Sequence, residues 1–266
     1  MAGRPRPDAD GDRETPVPEP IGSDAWPARS LLGELSPPAR RELLELGTEV
    51  RFDVGAVLLR EGDTHQHVFL LVSGFAKVMA TVENGETSLL AVRAAGDTVG
   101  EMAAMSGAPR SATVTACGPL TARVWKSGEL RGLLERRPAI SMALTGMVAD
   151  RLRWANRRRL DFRGYPAKVR LARLLVELAE FYGSPRADGA VIGCRLTQPE
   201  LATMVGAAET TIHKVLRDLR EEGLLETGYG AITIRHLPEL ERLAELRTTR
   251  APGARPAAAD STTSDQ

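Results

Sequence analysis

Apolar positions first take helical spacing in SLLGELSPPARRELLELG, where Leu31, Leu32, Leu35, Leu43, Leu44 and Leu46 supply the buried faces. Ser36 before Pro37 and Pro38 predicts the cap and first turn of a second short helix. From Glu49 to about Lys126 the pattern shortens to VRF, AVLLR, HVFLLV, AKVMATV, TSLLAVR, ATVTA and TARVW, each bounded by turn residues. Asn84-Gly85 between two such runs predicts a hairpin whose central residues both take positive φ. Many short strands predict an antiparallel sandwich or jelly roll, a fold that shelters a small ligand between its sheets.

After Ser127 the helical period returns in GELRGLLERRPAI and in a long segment from about Pro138 to Arg163. There Leu144, Val148, Leu152 and Ala155 form a stripe with Met147 beside it, and a lone helix of this length needs a partner for that stripe. Its other face carries Arg151, Arg153, Arg157, Arg158 and Arg159, which reads as solvated or acid-paired. A membrane-surface helix would fit that charge, but nothing else in the chain supports it. Gly164-Tyr165-Pro166 ends the helix as a hinge. AKVRLARLLVELAEFYG then predicts an amphipathic helix burying Val169, Leu171, Ala172, Leu174, Leu175 and Leu178, and 184–189 reads as a turn-rich loop.

The segment LTQPELATMVGAAETTIHKVLRDLREEGLL opens with a Thr197/Glu200 capping box and Pro199 in the first turn. Ala202, Gly206 and Ile212 take the small, turn and apolar positions of a helix-turn-helix, with Leu201, Val205, Val215, Leu216 and Leu219 as its core. Ordinary helical hairpins imitate this pattern, but LLETGYGAITI follows as strand, turn and strand, the wing of a winged helix, which makes DNA the expected partner. Gln198, Glu209, Thr210, Thr211, His213, Lys214 and Arg217 are the candidate DNA contacts, Lys214 and Arg217 for phosphates or guanine edges.

The other candidate chemistry lies in GDTVGEMAAMSGAPRSATV, residues 96–114. Gly100-Glu101 precedes an apolar run that can wind a short helix, and Arg110 follows. Amides at the start of that helix with a guanidinium fork suit an anion, and Glu101, an acceptor, suits a sugar hydroxyl. A phosphate carrying a ribose satisfies both; the alternative is a structural Glu101–Arg110 ion pair.

Composition narrows the classes. The chain has 266 residues, room for two modest domains, and 35 basic residues balance 35 acidic ones, so any basic surface is local. Its two cysteines, Cys117 and Cys194, lie far apart without ligand spacing, so neither a disulfide framework nor a metal site is expected. His65 and His67 lack a third ligand and read as a solvated loop. No stretch is apolar enough to span a bilayer and no signal peptide is visible, which places the protein in the cytoplasm. Segments 1–27 and 248–266 read as disordered tails.

Gly55, the EGD at 61–63, Ser73-Gly74, Gly96-Asp97, Gly100-Glu101 and Arg110-Ser111-Ala112 resemble the cyclic-nucleotide-binding domain and its phosphate cassette. With the winged helix, residues 30–240 resemble Crp/Fnr transcription regulators of the catabolite-activator type. The implied fold is α+β: a β-roll domain at 28–135, a dimerisation helix and hinge at 136–165, and a winged helix-turn-helix at 166–247. The resemblance gives Glu101 the ribose hydroxyl and Arg110 and Ser111 the cyclic phosphate, with Val99, Gly100 and Met102 completing the cassette. It places two base contacts on Ala155, which lacks the hydroxyl, and Asn156, whose amide remains. At the DNA face, Glu209, Thr210 and Lys214 depart from the family's arginine, glutamate and later arginine. The expected effector is a cyclic nucleotide, cyclic AMP first, with no tightly bound cofactor. The expected partners are double-stranded DNA, a second copy through the 138–163 helix, and RNA polymerase as a further candidate. The alternatives are a DNA-binding regulator with a vacant or repurposed pocket, and a nucleotide-sensing module without DNA binding. A redox- or haem-sensing relative is disfavoured because neither cysteine lies in a cluster and no histidine sits on a plausible pocket wall. A nucleotide-hydrolysing enzyme would need a base or metal ligands near Arg110, and neither is found.

Overall fold

The computed structural model describes residues 26–27, 29–187, 189–228 and 231–246. Segments 1–27 and 248–266, read as tails, lie outside these residues except for Trp26 and Pro27, and Trp26 already packs on the first module's core.

The first module opens with α1 (Leu31–Glu34) and α2 (Pro37–Glu45). Ser30 caps α1 by accepting from the Gly33 amide at 3.1 Å. Ser36 makes no such bond, and Pro37, its φ already set for a helix, starts α2 instead. Next come β1 (Thr48–Phe52), β2 (Val57–Leu59), β3 (Val68–Ser73), β4 (Phe75–Thr81), β5 (Thr87–Ala94), β6 (Thr98–Val99), α3 (Glu101–Ser106), β7 (Thr113–Ala116) and β8 (Leu120–Trp125). They pair antiparallel as the sheets β1-β8-β3-β6 and β2-β7-β4-β5, the expected β-roll.

Period-two burial is clear on β7, where half-buried Thr113 and Thr115 alternate with buried Val114 and Ala116. On β3, Val68, Phe69, Leu70 and Leu71 are all buried because both faces are covered. Phe69 and Leu71 enter the core between the sheets, with Leu59, Val114 and Ala122. Val68 and Leu70 meet Trp125 of β8 and a helical layer that includes Leu32, Leu133 and Leu144. The β4–β5 hairpin forms at Asn84-Gly85, but only Gly85 of that pair has positive φ, 87°. Val82 N donates to Glu86 O at 2.9 Å and Gly85 N to Val82 O at 2.8 Å, so a longer loop with one left-handed glycine replaces the expected two-residue turn.

Helix α4 (Ser127–Arg136) leads into α5 (Pro138–Gly164). Ile140, Leu144 and Met147 of α5 are buried in the first module's helical layer, whereas Leu152, expected in the same stripe, is 62 % exposed. Met142 and Leu160 are also bare.

The second module runs through α6 (Ala167–Tyr182), β9 (Gly183–Pro185), β10 (Ala190–Ile192), α7 (Gln198–Val205), α8 (Glu209–Glu221), β11 (Leu225–Gly228), β12 (Ala231–Ile234) and α9 (Leu237–Leu243). The loop expected at 184–189 is bracketed by paired strands, because β9 and β10 extend the wing into the sheet β11-β12-β10-β9. Leu89 and Val92 of β5 share a core with α6 and α7, so this module is docked on the edge of the β-roll. The fold is thus the expected α+β arrangement: a β-roll, a long helix and a winged helix-turn-helix.

Trp125 is fully buried, and its Nε1 donates to Leu46 O at 3.0 Å. Trp125→Ala should cost about 3–5 kcal/mol, read as a lowered midpoint in urea denaturation; an unchanged midpoint would contradict the packing described.

Candidate functional site

Gly100 joins β6 to α3 with a φ of 88°, and a Cβ there would lie 2.7 Å from Arg110 Nη1 and 3.0 Å from Leu59 Cδ1. Only glycine allows both the turn and the close approach. Glu101 and Arg110 are 3 % and 4 % exposed, but neither is the other's direct partner. Arg110 donates Nη1 to Gly100 O at 2.7 Å and Nη2 to His67 O at 2.5 Å. Its Nε is buried with no hydrogen-bond partner. Burial lowers the Arg110 pKa, with Asp63 and Glu101 opposing.

Glu101 is held from α5. Arg151 Nη1 sits 2.6 Å from its Oε1, while Nη2 donates to Thr98 O at 2.9 Å and lies 3.6 Å from Asp97. Burial works against the Arg151 charge, and Glu101 and Asp97 more than reverse it, so its pKa is raised. Arg158, a helical repeat further on, pairs with Glu177 at 2.6 Å and is also buried. The long helix's basic face therefore divides: Arg151 and Arg158 are acid-paired inside, Arg153 pairs with its neighbour Asp150, and Arg157 and Arg159 are exposed. The signal was present in the sequence, since Arg151 and Arg158 continue the helical face of Ile140, Leu144 and Met147.

Of the other cassette candidates, Val99 belongs to the core between the sheets. Met102 and Ser111 are exposed, as are Ala155 and Asn156 on α5, and the residue of α5 that reaches Glu101 is Arg151. His65 pairs with Asp63, but His67 is not the solvated residue expected. Its ring lies 5.0 Å from Phe69, and burial, then the Arg110 charge, push its pKa down. On the other side of Arg151, a cavity of about 320 Å³ opens between the modules, lined by Arg93, Asp97, Arg151, Trp154, Tyr182 and Met204 among others. Burial and Asp97 push the Tyr182 phenol up to about 12, and its hydroxyl donates to Val92 O at 2.9 Å.

The helix-turn-helix forms as its sequence predicts. Thr197 accepts from Glu200 N at 3.4 Å, and Thr197 N donates to the Glu200 carboxylate at 2.7 Å, closing the capping box. Gly206 turns the chain in the left-handed region, and Ala202 and Ile212 pack the two helices together. Glu209, Thr210, Thr211, His213, Lys214 and Arg217 are all exposed on α8, with Gln198 half-buried at the start of α7. The cysteines, expected to be unrelated, are in contact: their sulfurs lie 3.4 Å apart. Among the described residues no group of three or more His, Cys, Asp or Glu is placed to hold a metal, and no helix is long and apolar enough to cross a membrane.

Comparison with known proteins agrees with this geometry. Residues 49–137 match the sequence model of the cyclic nucleotide-binding domain, and residues 169–243 that of the Crp-like helix-turn-helix domain. A CRP-like cAMP-activated global transcriptional regulator of Mycobacterium tuberculosis is 28 % identical over 73 % of this chain and 87 % of its own length. The anaerobic regulatory protein of Bacillus subtilis is also 28 % identical, over 73 % and 83 %. The solved structure of a CRP/FNR-family transcriptional regulator from Thermus thermophilus superimposes with a TM-score of 0.61 at 26 % identity, covering 74 % of this chain and 98 % of that one.

Arg151→Leu strands the Glu101 carboxylate and should cost about 3–5 kcal/mol. Glu101→Gln in the same chain should restore part of that loss. A double-mutant cycle in urea with no coupling between the two changes would contradict the pairing.

Proposed function

We propose that this chain, which belongs to the Crp/Fnr family of transcription regulators, binds a two-fold operator as a homodimer under the control of a cyclic nucleotide. The observation that carries this reading is the buried Arg110 guanidinium, whose Nε has no partner. An unmet buried donor is costly, and a phosphate oxygen would meet it with a charge-assisted bond. Glu101 would accept from the ribose hydroxyls once Arg151 leaves it. The nucleotide thus competes with the protein's own arginine, and because Arg151 stands on α5, that competition shifts the long helix. Val99, Gly100, Met102 and Ser111 complete the cassette, and Asn156 offers an amide to the base.

Met142, Leu152 and Leu160 are exposed apolar positions of α5 that a second copy would cover. Two such copies would set their α8 helices one DNA turn apart, with Gln198, Glu209, Thr210, Thr211, His213, Lys214 and Arg217 facing the duplex. The mycobacterial relative, described as cAMP-activated, makes cyclic AMP the first effector to try. The module boundaries proposed are 28–135, 136–165 and 166–247, in a cytoplasmic protein. One observation favours a second reading: Arg151 already neutralises Glu101, as it would in a regulator whose pocket is filled from within.

Calorimetry of the purified protein against cyclic AMP, cyclic GMP and cyclic di-GMP separates the readings. Under the first, one of them binds and Arg110→Ala abolishes binding without unfolding; equal affinity in that variant would refute the assignment. Under the second, none binds and operator affinity ignores nucleotide. DNA affinity should fall steeply with salt through counterion release at Lys214 and Arg217, and a flat response between low and physiological salt would exclude the docking proposed.

A further inference from the structure

We propose that Cys117 and Cys194 form a redox modification site, where a hydroperoxide closes a reversible disulfide that fixes the winged module to the β-roll. Cys117 follows β7, held by its amide bond to Phe75 O at 2.9 Å; Cys194 lies between β10 and α7. They are 77 positions apart in sequence, yet their sulfurs are 3.4 Å apart across the seam between the modules. An S–S bond of about 2.05 Å therefore requires the sulfurs to approach by about 1.4 Å. The seam is already ordered around them. Lys77 on β4 pairs with Glu200 on α7 at 2.6 Å, and Leu89 N on β5 donates to Thr203 Oγ1 on α7 at 3.0 Å.

The two thiols have different roles. Cys194 is 1 % exposed and donates its S–H to the Cys117 sulfur. That bond, then burial, raises the Cys194 pKa, so it stays protonated. Cys117 is half-buried, accepts that hydrogen bond and is the more accessible sulfur, so it is the one a peroxide reaches first. In the first step the Cys117 sulfur attacks one peroxide oxygen, the O–O bond breaks, and a sulfenic acid and an alcohol (water, from hydrogen peroxide) result. In the second, the Cys194 sulfur attacks the Cys117 sulfur, the S–O bond breaks, and the hydroxide leaves as water with the Cys194 proton. Overall two thiols lose two electrons and two protons, and one hydroperoxide becomes an alcohol and one water. A thiol reductant reverses the bond by exchange. With α7 stapled to the β-roll, a nucleotide can no longer reorient it.

The test treats the full-length protein with one equivalent of hydrogen peroxide. The expected product is 2 Da lighter, runs as a single chain on a non-reducing gel, and yields tryptic peptides 111–123 and 187–195 joined until dithiothreitol is added. Cys117→Ser, at the more accessible position, should fold and give no such product. Persisting free thiols, oxygen added without a cross-link, or a bond between chains would overturn the proposal. The consequence for regulation rests on the nucleotide-controlled reading: the ratio of operator affinities with and without nucleotide should fall to within about twofold of unity on oxidation. A ratio unchanged by oxidation overturns the latch. If the reduced protein shows no nucleotide effect, that reading fails, and the latch is decided by hydrogen exchange of the α7 amides: slower exchange on oxidation supports it and unchanged exchange overturns it.

Discussion

A carboxylate removed from water has to have a cation, and in this protein the cation comes from another element. Glu101 is 3 % exposed at the start of α3, and Arg151 reaches it from the middle of α5. Leaving one partner alone in such a site costs several kcal/mol, so the two elements are registered against each other by that requirement as much as by the apolar contacts of Ile140, Leu144 and Met147. Asp97 and the Thr98 carbonyl hold the rest of the same guanidinium. The segment around β6 and α3 therefore carries both Arg110, the proposed anion contact, and the anchor of the long helix. In the proposed mechanism, a ligand that changes the partner of Glu101 would change where α5 rests. No relay of intermediate residues would be needed, because ligand and helix would compete for one carboxylate.

Much of this was legible in the chain. The β-roll followed from alternation and turn residues, and the second module from a capping box, a left-handed glycine and an apolar repeat. These are local features, and local rules carry them. Thr197 and Glu200 are three residues apart, so their mutual bonds need only a helix start. The resemblance to the cyclic-nucleotide-binding cassette rested partly on glycines, and Gly55, Gly62, Gly74, Gly96 and Gly100 all have positive φ, which is why a pattern of glycines can mark a fold.

What was not legible depends on contacts between distant segments. By charge alone, Arg151 and Arg158 read as members of a basic face. Their place on the same helical face as Leu144 and Met147 outweighs their charge once acids stand opposite, and those acids, Glu101 and Glu177, come from other elements. Within the long helix's stripe, Leu144, Met147 and Val148 are absorbed by its own module, and Leu152 is left bare in the single chain. Spacing along the chain said nothing of Cys117 and Cys194, since their contact exists only when α7 lies on β5. The β9–β10 pairing was missed for the same reason, because β9 is a strand by virtue of its neighbour and not of its Gly-Ser-Pro sequence.

The docked seam also sets the scale on which any control must act. When α7 leaves β5, Leu89 and Val92 return to water, at about 1.5–3 kcal/mol for each side chain. The Lys77–Glu200 pair opens as well, and the amide of Leu89, on the edge strand, loses Thr203 as its acceptor. Coupling between a ligand and a distant site is typically about 1–3 kcal/mol, less than that sum. Under the proposed nucleotide control, binding alone could not free the module from this arrangement; contacts made only in a released state, to DNA or to a second copy along Met142, Leu152 and Leu160, would have to supply the remainder. Glu200 would keep such a release orderly. Its carboxylate caps α7 while also pairing with Lys77, so breaking the seam leaves the helix start satisfied, and the module can part from the β-roll without unravelling the helix that precedes α8.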